Sequence, residues 1–387
     1  MNITVVQGVR AWGTLSNETR LVRDVEDMLQ ELEPSEGPLT QILSRLQTET
    51  ATDGVKVEWF EDQLLPDFDV LSVALAAADA TMTVTNFAYF RAGDIVQVND
   101  YEQVLVTATP TTTTVAITRA FGTIPAAAAL IGARLKIVSD ATLENAGARD
   151  VITTQKVPRY NYLQQLGSPA SWSDLDLASN TFAGKEMVNE HKKAIIEHKK
   201  KMEKQFLTGQ PYAAATGTRY RCTTGGLEYF IQSNIKDCSG GFTEPEFEDF
   251  LRICFRYGAS KQKLVFCSPK AIQSINGFAR SKLQTFCDDN TYGVTITEYR
   301  NAGRQVGLIE EVLMTNASLN DLTGLAGHLI LVDPANIRIS YLQGQSTHIA
   351  ENIQAPDVRG RLDEVRCTFA FKARLEQTMG ICTGIAD

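Results

Sequence analysis

The sequence predicts an α+β protein built of more than one lobe. Three observations carry that reading. At 387 residues the chain is too long for a single compact core. Residues 182–207 form one long, mostly polar helical stretch, with strand-rich sequence on both sides. Residues 79–138 change character entirely, to short β-branched runs cut by Asn, Gly, Asp and Pro. The composition, 43% hydrophobic and 21% charged, is that of an ordinary globular chain and argues against wholesale disorder.

Taken in order, residues 17–46 read as an N-terminal helical arm. Leu21, Val22, Val25, Met28, Leu29 and Leu32 are helically spaced, and the segment from Pro34 to Pro38 breaks the run before it resumes over 39–46. Residues 55–60 alternate and predict a strand that ends in Trp59-Phe60-Glu61-Asp62. Within 79–138, the runs 81–85, 94–98, 103–107, 115–118 and 134–138 predict a small all-β, barrel-like module inserted between two outer strands. The second outer strand falls within residues 150–161 and includes Arg159-Tyr160-Asn161.

The long helix follows. Asn180 and Thr181 offer an N-cap, and Gly209 with Pro211 stops the run. About 26 residues at 1.5 Å each would reach ~39 Å. Val188, Ile195 and Met202 recur every seventh position and are joined by Phe206, which predicts one narrow buried stripe. Charged side chains, Glu190, Glu197 and Glu203 among them, fill most of the remaining surface. A helix of this kind crosses a sheet, buries one edge and leaves the rest to water or to neighbouring subunits. That suggests a building block of an assembly rather than a cavity enzyme. Beyond it come a helix at 244–257, a strand at 263–267 and a helix at 268–283 opened by Ser268-Pro269. Strands then dominate at 294–299, 305–314, 328–332, 337–341 and 364–375, and no repeat of solenoid or propeller period is visible.

The formal charge of −9 argues against tight nucleic-acid binding, which needs a basic surface. The Lys-rich half of the long helix offers a local basic face. The plainer reading is a solvated face that suits the negative end of the helix dipole. Seven cysteines, odd in number and without C-x-x-C spacing, read as reduced and mostly buried thiols rather than a disulfide framework or a zinc site. Residues 1–10 lack the pattern of a signal peptide, and the longest apolar run, 70–78, is too short to span a bilayer. The expectation is a soluble protein made inside a cell, with no membrane partner.

No phosphate-binding loop, dinucleotide fingerprint, nucleophile elbow or H-E-x-x-H occurs. His191 and His198 lie seven apart on the long helix, not at the i, i+4 spacing of helical metal ligands, and are expected at the surface. His328 and His348 have no acidic or cysteine partner fixed by spacing. Glu244, Glu246, Glu248 and Asp249 fit the negative charge favoured at a helix start better than a metal site. Glu61 and Asp62 could be imagined as a paired acid and base. Beside Trp59 and Phe60 at a strand end they are read more simply as a polar contact between subunits. The expectation is no catalytic, cofactor-binding or metal-binding residue, and no cofactor. Trp59, Glu61, Asp62, Arg159 and Asn161 are the residues expected to form or support subunit contacts, with Arg159 offering a fork for Glu61 or Asp62.

Several short marks, in this order, give the chain a resemblance. They are Glu58-Trp59-Phe60-Glu61-Asp62, Phe90-Arg91-Ala92-Gly93-Asp94, and Thr118-Arg119-Ala120-Phe121-Gly122-Thr123. Then come Arg159-Tyr160-Asn161-Tyr162-Leu163-Gln164-Gln165, Glu203-Lys204-Gln205-Phe206-Leu207-Thr208-Gly209, and Gly225-Gly226-Leu227. Across essentially its whole length the chain resembles the major capsid proteins of tailed bacteriophages. Their Hong Kong phage type of fold is shared with encapsulins and the herpesvirus capsid floor. It looks most like the branch whose extended loop carries an inserted β-module, where Gly usually stands in place of Ala120.

The resemblance implies an N-terminal arm over residues 1–50, and an extended loop with its flanking strands over 51–78 and 139–180. The inserted β-module would occupy 79–138. A peripheral domain with the spine helix would occupy 181–233 and 327–387, and an axial domain 234–326. It implies a structural protein that self-assembles as hexamers and pentamers into an icosahedral virion shell around packaged double-stranded DNA. That DNA would be touched only weakly and without sequence preference, as a mildly acidic lining allows. A separate scaffolding protein, a portal and an optional decoration protein are the further partners, with assembly in the host cytoplasm. The roughly fifty residues before Val55 are too few for a built-in scaffold, and no isopeptide Lys–Asn pair is fixed by a matching motif. The rival readings are a tail, connector or decoration protein, or a metal-dependent hydrolase built on the acidic clusters.

Overall fold

A computed structural model describes residues 37–51, 54–99, 101–179, 186–239, 241–258, 260–279, 287–288, 296–301, 304–315 and 324–385. The helix expected before residue 34 and the N-cap expected at Asn180 and Thr181 lie outside these residues. The chain divides into two compact units, Trp59–Arg159 and the remainder.

In chain order, α1 (Pro38–Arg45) is followed by β1 (Glu49–Ala51) and β2 (Lys56–Glu61). Six short strands come next: β3 (Phe68–Val70), β4 (Thr81–Thr83), β5 (Asp94–Val98), β6 (Glu102–Val106), β7 (Thr114–Thr118) and β8 (Arg134–Asp140). The chain returns through β9 (Val157–Tyr162) and β10 (Gln164–Trp172), the short α2 (Asp174–Ala178) and the long α3 (Glu186–Thr208). A hairpin of β11 (Tyr212–Thr216) and β12 (Arg219–Thr223) leads to α4 (Leu227–Phe230) and β13 (Ile235–Asp237). Then come α5 (Glu244–Cys254), β14 (Gln262–Cys267), α6 (Pro269–Ala279), β15 (Cys287–Asp288), β16 (Ile296–Asn301) and β17 (Arg304–Glu310). The chain closes with β18 (Leu329–Val332), β19 (Ile337–Leu342), β20 (His348–Ala350), β21 (Arg361–Ala373) and β22 (Gly380–Thr383).

The unit Trp59–Arg159 is built on an antiparallel sheet in the order β3-β8-β5-β6-β7-β4. Its two edges meet, because Leu71 bridges Val84 and the Ser72 N–H donates to Thr83 O at 2.9 Å. Alternation in β5 and β6 sends Val96, Val98, Val104 and Val106 into the small core. The apolar run 70–78 contributes Leu71 and Leu75 to that same core, so the packed unit begins before residue 79. Inside it, Arg119 grips Glu102 with Nε at 2.7 Å and Nη2 at 2.6 Å, while the Ala120 and Ala127 N–H groups donate to the same carboxylate at 3.1 Å. Burial pushes the Glu102 carboxyl up, but Arg119 and the two N–H groups outweigh it and hold it below its ordinary value.

The remainder carries two main sheets. One runs β1-β19-β21-β10, with β20 also on β21, and α3 packs against β10 and β21. The other runs β13-β22-β18-β14-β17-β16-β15, with α5 against β22 and α6 against β14 and β17. A shared core joins Leu39, Ile42 and Leu43 of α1 to Phe206 of α3, Ile339 of β19 and Phe369 and Phe371 of β21. The start of α5 matches the reading of its acidic cluster: Glu246 reaches back to accept the Thr243 N–H at 3.2 Å.

The buried stripe of α3 differs from the expected one. Val188 is 47% exposed, whereas Ala194, His198, Met202, Glu203, Phe206 and Leu207 are buried. A helix of 3.6 residues per turn buries i, i+4 rows, and over this sheet the row includes polar side chains that find partners. His198 is therefore not a surface residue: Nε2 lies 3.1 Å from Cys367 Sγ and Nδ1 lies 3.4 Å from Ser168 Oγ. His191 is half-buried, with Nε2 2.8 Å from Asp363 Oδ2 and its ring edge-on to Trp172. Glu203, expected in water, is fully buried and accepts the N–H groups of Leu39 at 2.7 Å and Thr40 at 2.6 Å. It caps α1.

Candidate assembly interface

Among the described residues β2 and β9 pair only with each other, as a two-stranded ladder that leads the chain into Trp59–Arg159 and back. Alternation along β2 buries Val57 and Trp59 and turns Lys56, Glu58 and Phe60 outward. Trp59 is 8% exposed and Phe60 70%. The indole Nε1–H of Trp59 donates to Glu61 Oε1 at 2.9 Å, and Arg159 Nε lies 3.6 Å from Glu61 Oε2. Trp59, Glu61 and Arg159 thus form one cluster. Asp62 lies apart from Arg159: its Oδ1 accepts the Gln63 N–H at 2.9 Å and the Thr154 hydroxyl at 3.1 Å. The pairing of Arg159 is with Glu61, the last residue of β2, whereas Asp62 follows the strand and takes Gln63 and Thr154 as partners.

Asn161 occupies a different setting. It is fully buried, and its Nδ2 donates to Phe371 O at 2.6 Å and Gly225 O at 3.1 Å. Its Oδ1 accepts the N–H groups of Gly225 at 2.7 Å and Tyr162 at 2.9 Å. The amide ties β9 to β21 and to the turn before α4. That turn needs glycine for close approach. A Cβ on Gly226 would stand 2.6 Å from Gln205 O and 2.7 Å from Phe206 O, at the end of α3. Asn161 can support a contact but has no surface with which to make one.

The sequence did not single out Phe60 and Tyr160, which lie outward on β2 and β9. Lys56 Nζ lies 4.1 Å from the Tyr160 ring centroid. Nor did it single out the β11–β12 hairpin, where Arg219, Tyr220 and Arg221 border a cavity of about 540 Å³ whose other walls include Val55, Leu163 and Thr368. Period-two alternation was the clue available for Phe60; nothing local marked Tyr160 or the hairpin.

The buried His198–Cys367 contact is not a nucleophile and base. Burial, with help from Lys201, lowers His198 to about 4, and burial pushes the Cys367 thiol up to about 12. Both stay neutral near pH 7, the reverse of an activated thiolate–imidazolium pair. Among the described residues no cluster of His, Cys, Asp and Glu has the makings of a metal site, and no helix is long and apolar enough to cross a membrane.

A family model described as SU10 major capsid protein matches residues 6–386. No curated protein matches the sequence. Among solved structures, the capsid of a native GTA particle is similar with a TM-score of 0.54 and 8% identity, over 98% of this chain and 100% of that one. The capsid of an empty GTA particle gives 0.51 and 8%, over the same shares. A structure from Microbacterium phage Oxtober96 gives 0.48 and 6%, over 94% of this chain and 95% of that one. The fold likeness rests on the first two.

Proposed function

Because the chain belongs to the SU10 major capsid protein family, we propose a role in shell building for each of its parts. It is a structural protein of a tailed-phage capsid shell, with a mixed fold of few helices and many strands. A structural capsid family implies a non-enzymatic role and a place in the virion. In the proposed division, residues 1–50 are an arm, and 51–78 with 139–180 an extended loop with its flanking strands; the insertion over 79–138 forms a barrel together with β3, Leu71 and Leu75 of that loop. Residues 181–233 and 327–387 are a peripheral domain along α3, and 234–326 an axial domain. Copies of the chain meet as hexamers and pentamers in the host cytoplasm, with a scaffolding protein, a portal and an optional decoration protein as partners.

One observation carries the interface reading. A two-stranded ladder is marginal in water by itself, yet among the described residues β2 and β9 have no third strand, while Phe60 points outward. A neighbouring subunit that covers this ladder supplies the missing support. Trp59, Glu61 and Arg159 hold the ladder's form, Asp62 ties the segment beyond it to Thr154, and Asn161 fastens its base. Closing a shell multiplies such contacts, since each further contact of a docked subunit is effectively intramolecular. The net charge of −9 suits a wall along which duplex DNA can slide, because few counterions would be released by the contact.

The test compares Arg159→Ala and Phe60→Ser with the unaltered chain by sedimentation and by thermal melting of unassembled protein. The expected result is lost assembly with nearly unchanged melting. A large drop in melting temperature, with assembly lost only in proportion, would make the ladder an internal brace.

A further inference from the structure

We propose that Cys238 and Cys382 form a redox-controlled staple, two thiols in a reducing cell and one disulfide in the released particle. The change of surroundings rests on the capsid reading; the chemistry does not.

The two Sγ atoms lie 2.8 Å apart, closer than non-bonded sulfurs pack. A disulfide spans about 2.05 Å, so a shift of about 0.8 Å closes the bond. The backbone aims the pair. Cys382 lies in β22, between β13 and β18, and Cys238 follows the end of β13 with its N–H donating to Thr383 O at 2.8 Å. Both belong to the apolar cluster with Phe247, Phe250 and Leu329. Side chains of 144 residues' separation would be joined, which ties the last strand to the sheet edge.

Access comes through β13. It is a three-residue edge strand, so its local opening is cheap relative to unfolding. Burial pushes both thiols up, with Lys236, Asp237 and Glu246 as the charged groups nearby. Thiolate is therefore scarce at neutral pH, and closure is slow and quickens as pH rises. A small-molecule disulfide such as oxidised glutathione serves as oxidant. The Cys238 thiolate attacks one of its sulfurs, its S–S bond breaks, and one glutathione thiolate leaves. The Cys382 thiolate then attacks the Cys238 sulfur of the mixed disulfide and expels the second glutathione thiolate. The two cysteine protons end on the two glutathiones, which also take the two electrons lost by the protein.

The experiment uses the full chain, purified with reductant and then incubated with oxidised glutathione at pH 8. Quenching, alkylation in denaturant and peptide mass mapping follow, with thermal melts and electron micrographs of the same samples. The expected product joins the peptides of Cys238 and Cys382, two hydrogen masses lighter and restored by reductant. Melting should rise on the order of 5 °C on oxidation, and the rise should vanish in Cys238→Ser and in Cys382→Ala. Alkylation of both thiols after treatment, or linkage of Cys222 or Cys254 in their place, would overturn the staple. Closed shells with both thiols free would overturn it while leaving the capsid reading intact. Linked peptides in a chain that forms no shell, either alone or with a scaffolding partner, would uphold the bond and count against the capsid reading.

Discussion

Glu203 of α3 accepts the backbone N–H of Leu39 at 2.7 Å, across 164 positions of sequence. With the Thr40 N–H and hydroxyl on its other oxygen, the side chain caps α1 from outside the helix. α1 has no side-chain cap of its own at Gly37. Glu203→Ala should therefore loosen α1, at a cost of about 1–2 kcal/mol. Hydrogen exchange should quicken over residues 38–46 with little change in the barrel; unchanged protection there would dismiss the cap.

Glu311 is buried near Glu203, and its carboxyl sits well above its ordinary value, first through burial and then through Glu203 beside it. A group raised in the folded state binds its proton more tightly there than in the unfolded chain. Its contribution is present below the ordinary carboxylate range and is lost as pH rises through the elevated native value. Glu311→Gln keeps an acceptor for the Leu313 N–H, which lies 3.1 Å from Oε1. The variant should melt higher at neutral and alkaline pH and lose that part of the pH dependence. A lower melting temperature across the whole range would contradict the assignment.

Ala120 adopts φ 51°, a left-handed conformation that glycine takes without strain. Ala120→Gly should stabilise the barrel by roughly 0.5–1 kcal/mol, the relief being partly offset by the freer unfolded chain. Arg119→Ala acts oppositely, since it strands the buried Glu102 carboxylate, and should cost about 3–5 kcal/mol. Differential scanning calorimetry reads both, and equal melts would refute the strain and the ion pair alike.

Asn161 and Arg159 lie two residues apart and should behave in opposite ways. Asn161→Ala removes four hydrogen bonds to backbone, three of them buried, and should destabilise folding by about 3 kcal/mol. Arg159→Ala touches a half-exposed pair and should change folding by about 0.5 kcal/mol or less. Chemical denaturation of unassembled protein measures both, and equal losses would void the distinction.

Local pattern made some elements legible and hid others. The alternation of Asp94–Val98 and Glu102–Val106 marked β5 and β6 because each strand faces one small core. β10 was invisible because Gly167 and Pro169 read as strand breakers. It tolerates them as an edge strand paired on one side only, with Pro169 opposite Glu364. Glu203 and His198 looked solvated on α3, since their partners Leu39 and Cys367 come from distant sequence. Trp59, Glu61 and Arg159 could be grouped from strand ends alone, whereas the inward turn of Asn161 depended on Gly225 and Phe371.

A capsid subunit of this family must build a closed shell. Electron cryomicroscopy of the full chain, expressed alone and with a scaffolding partner, tests it directly. The expected images show closed icosahedral particles, tubes or rings of five and six subunits, with density from a neighbour over Phe60 and β2. A monodisperse small oligomer under both conditions, with the β2–β9 ladder uncovered, would contradict it.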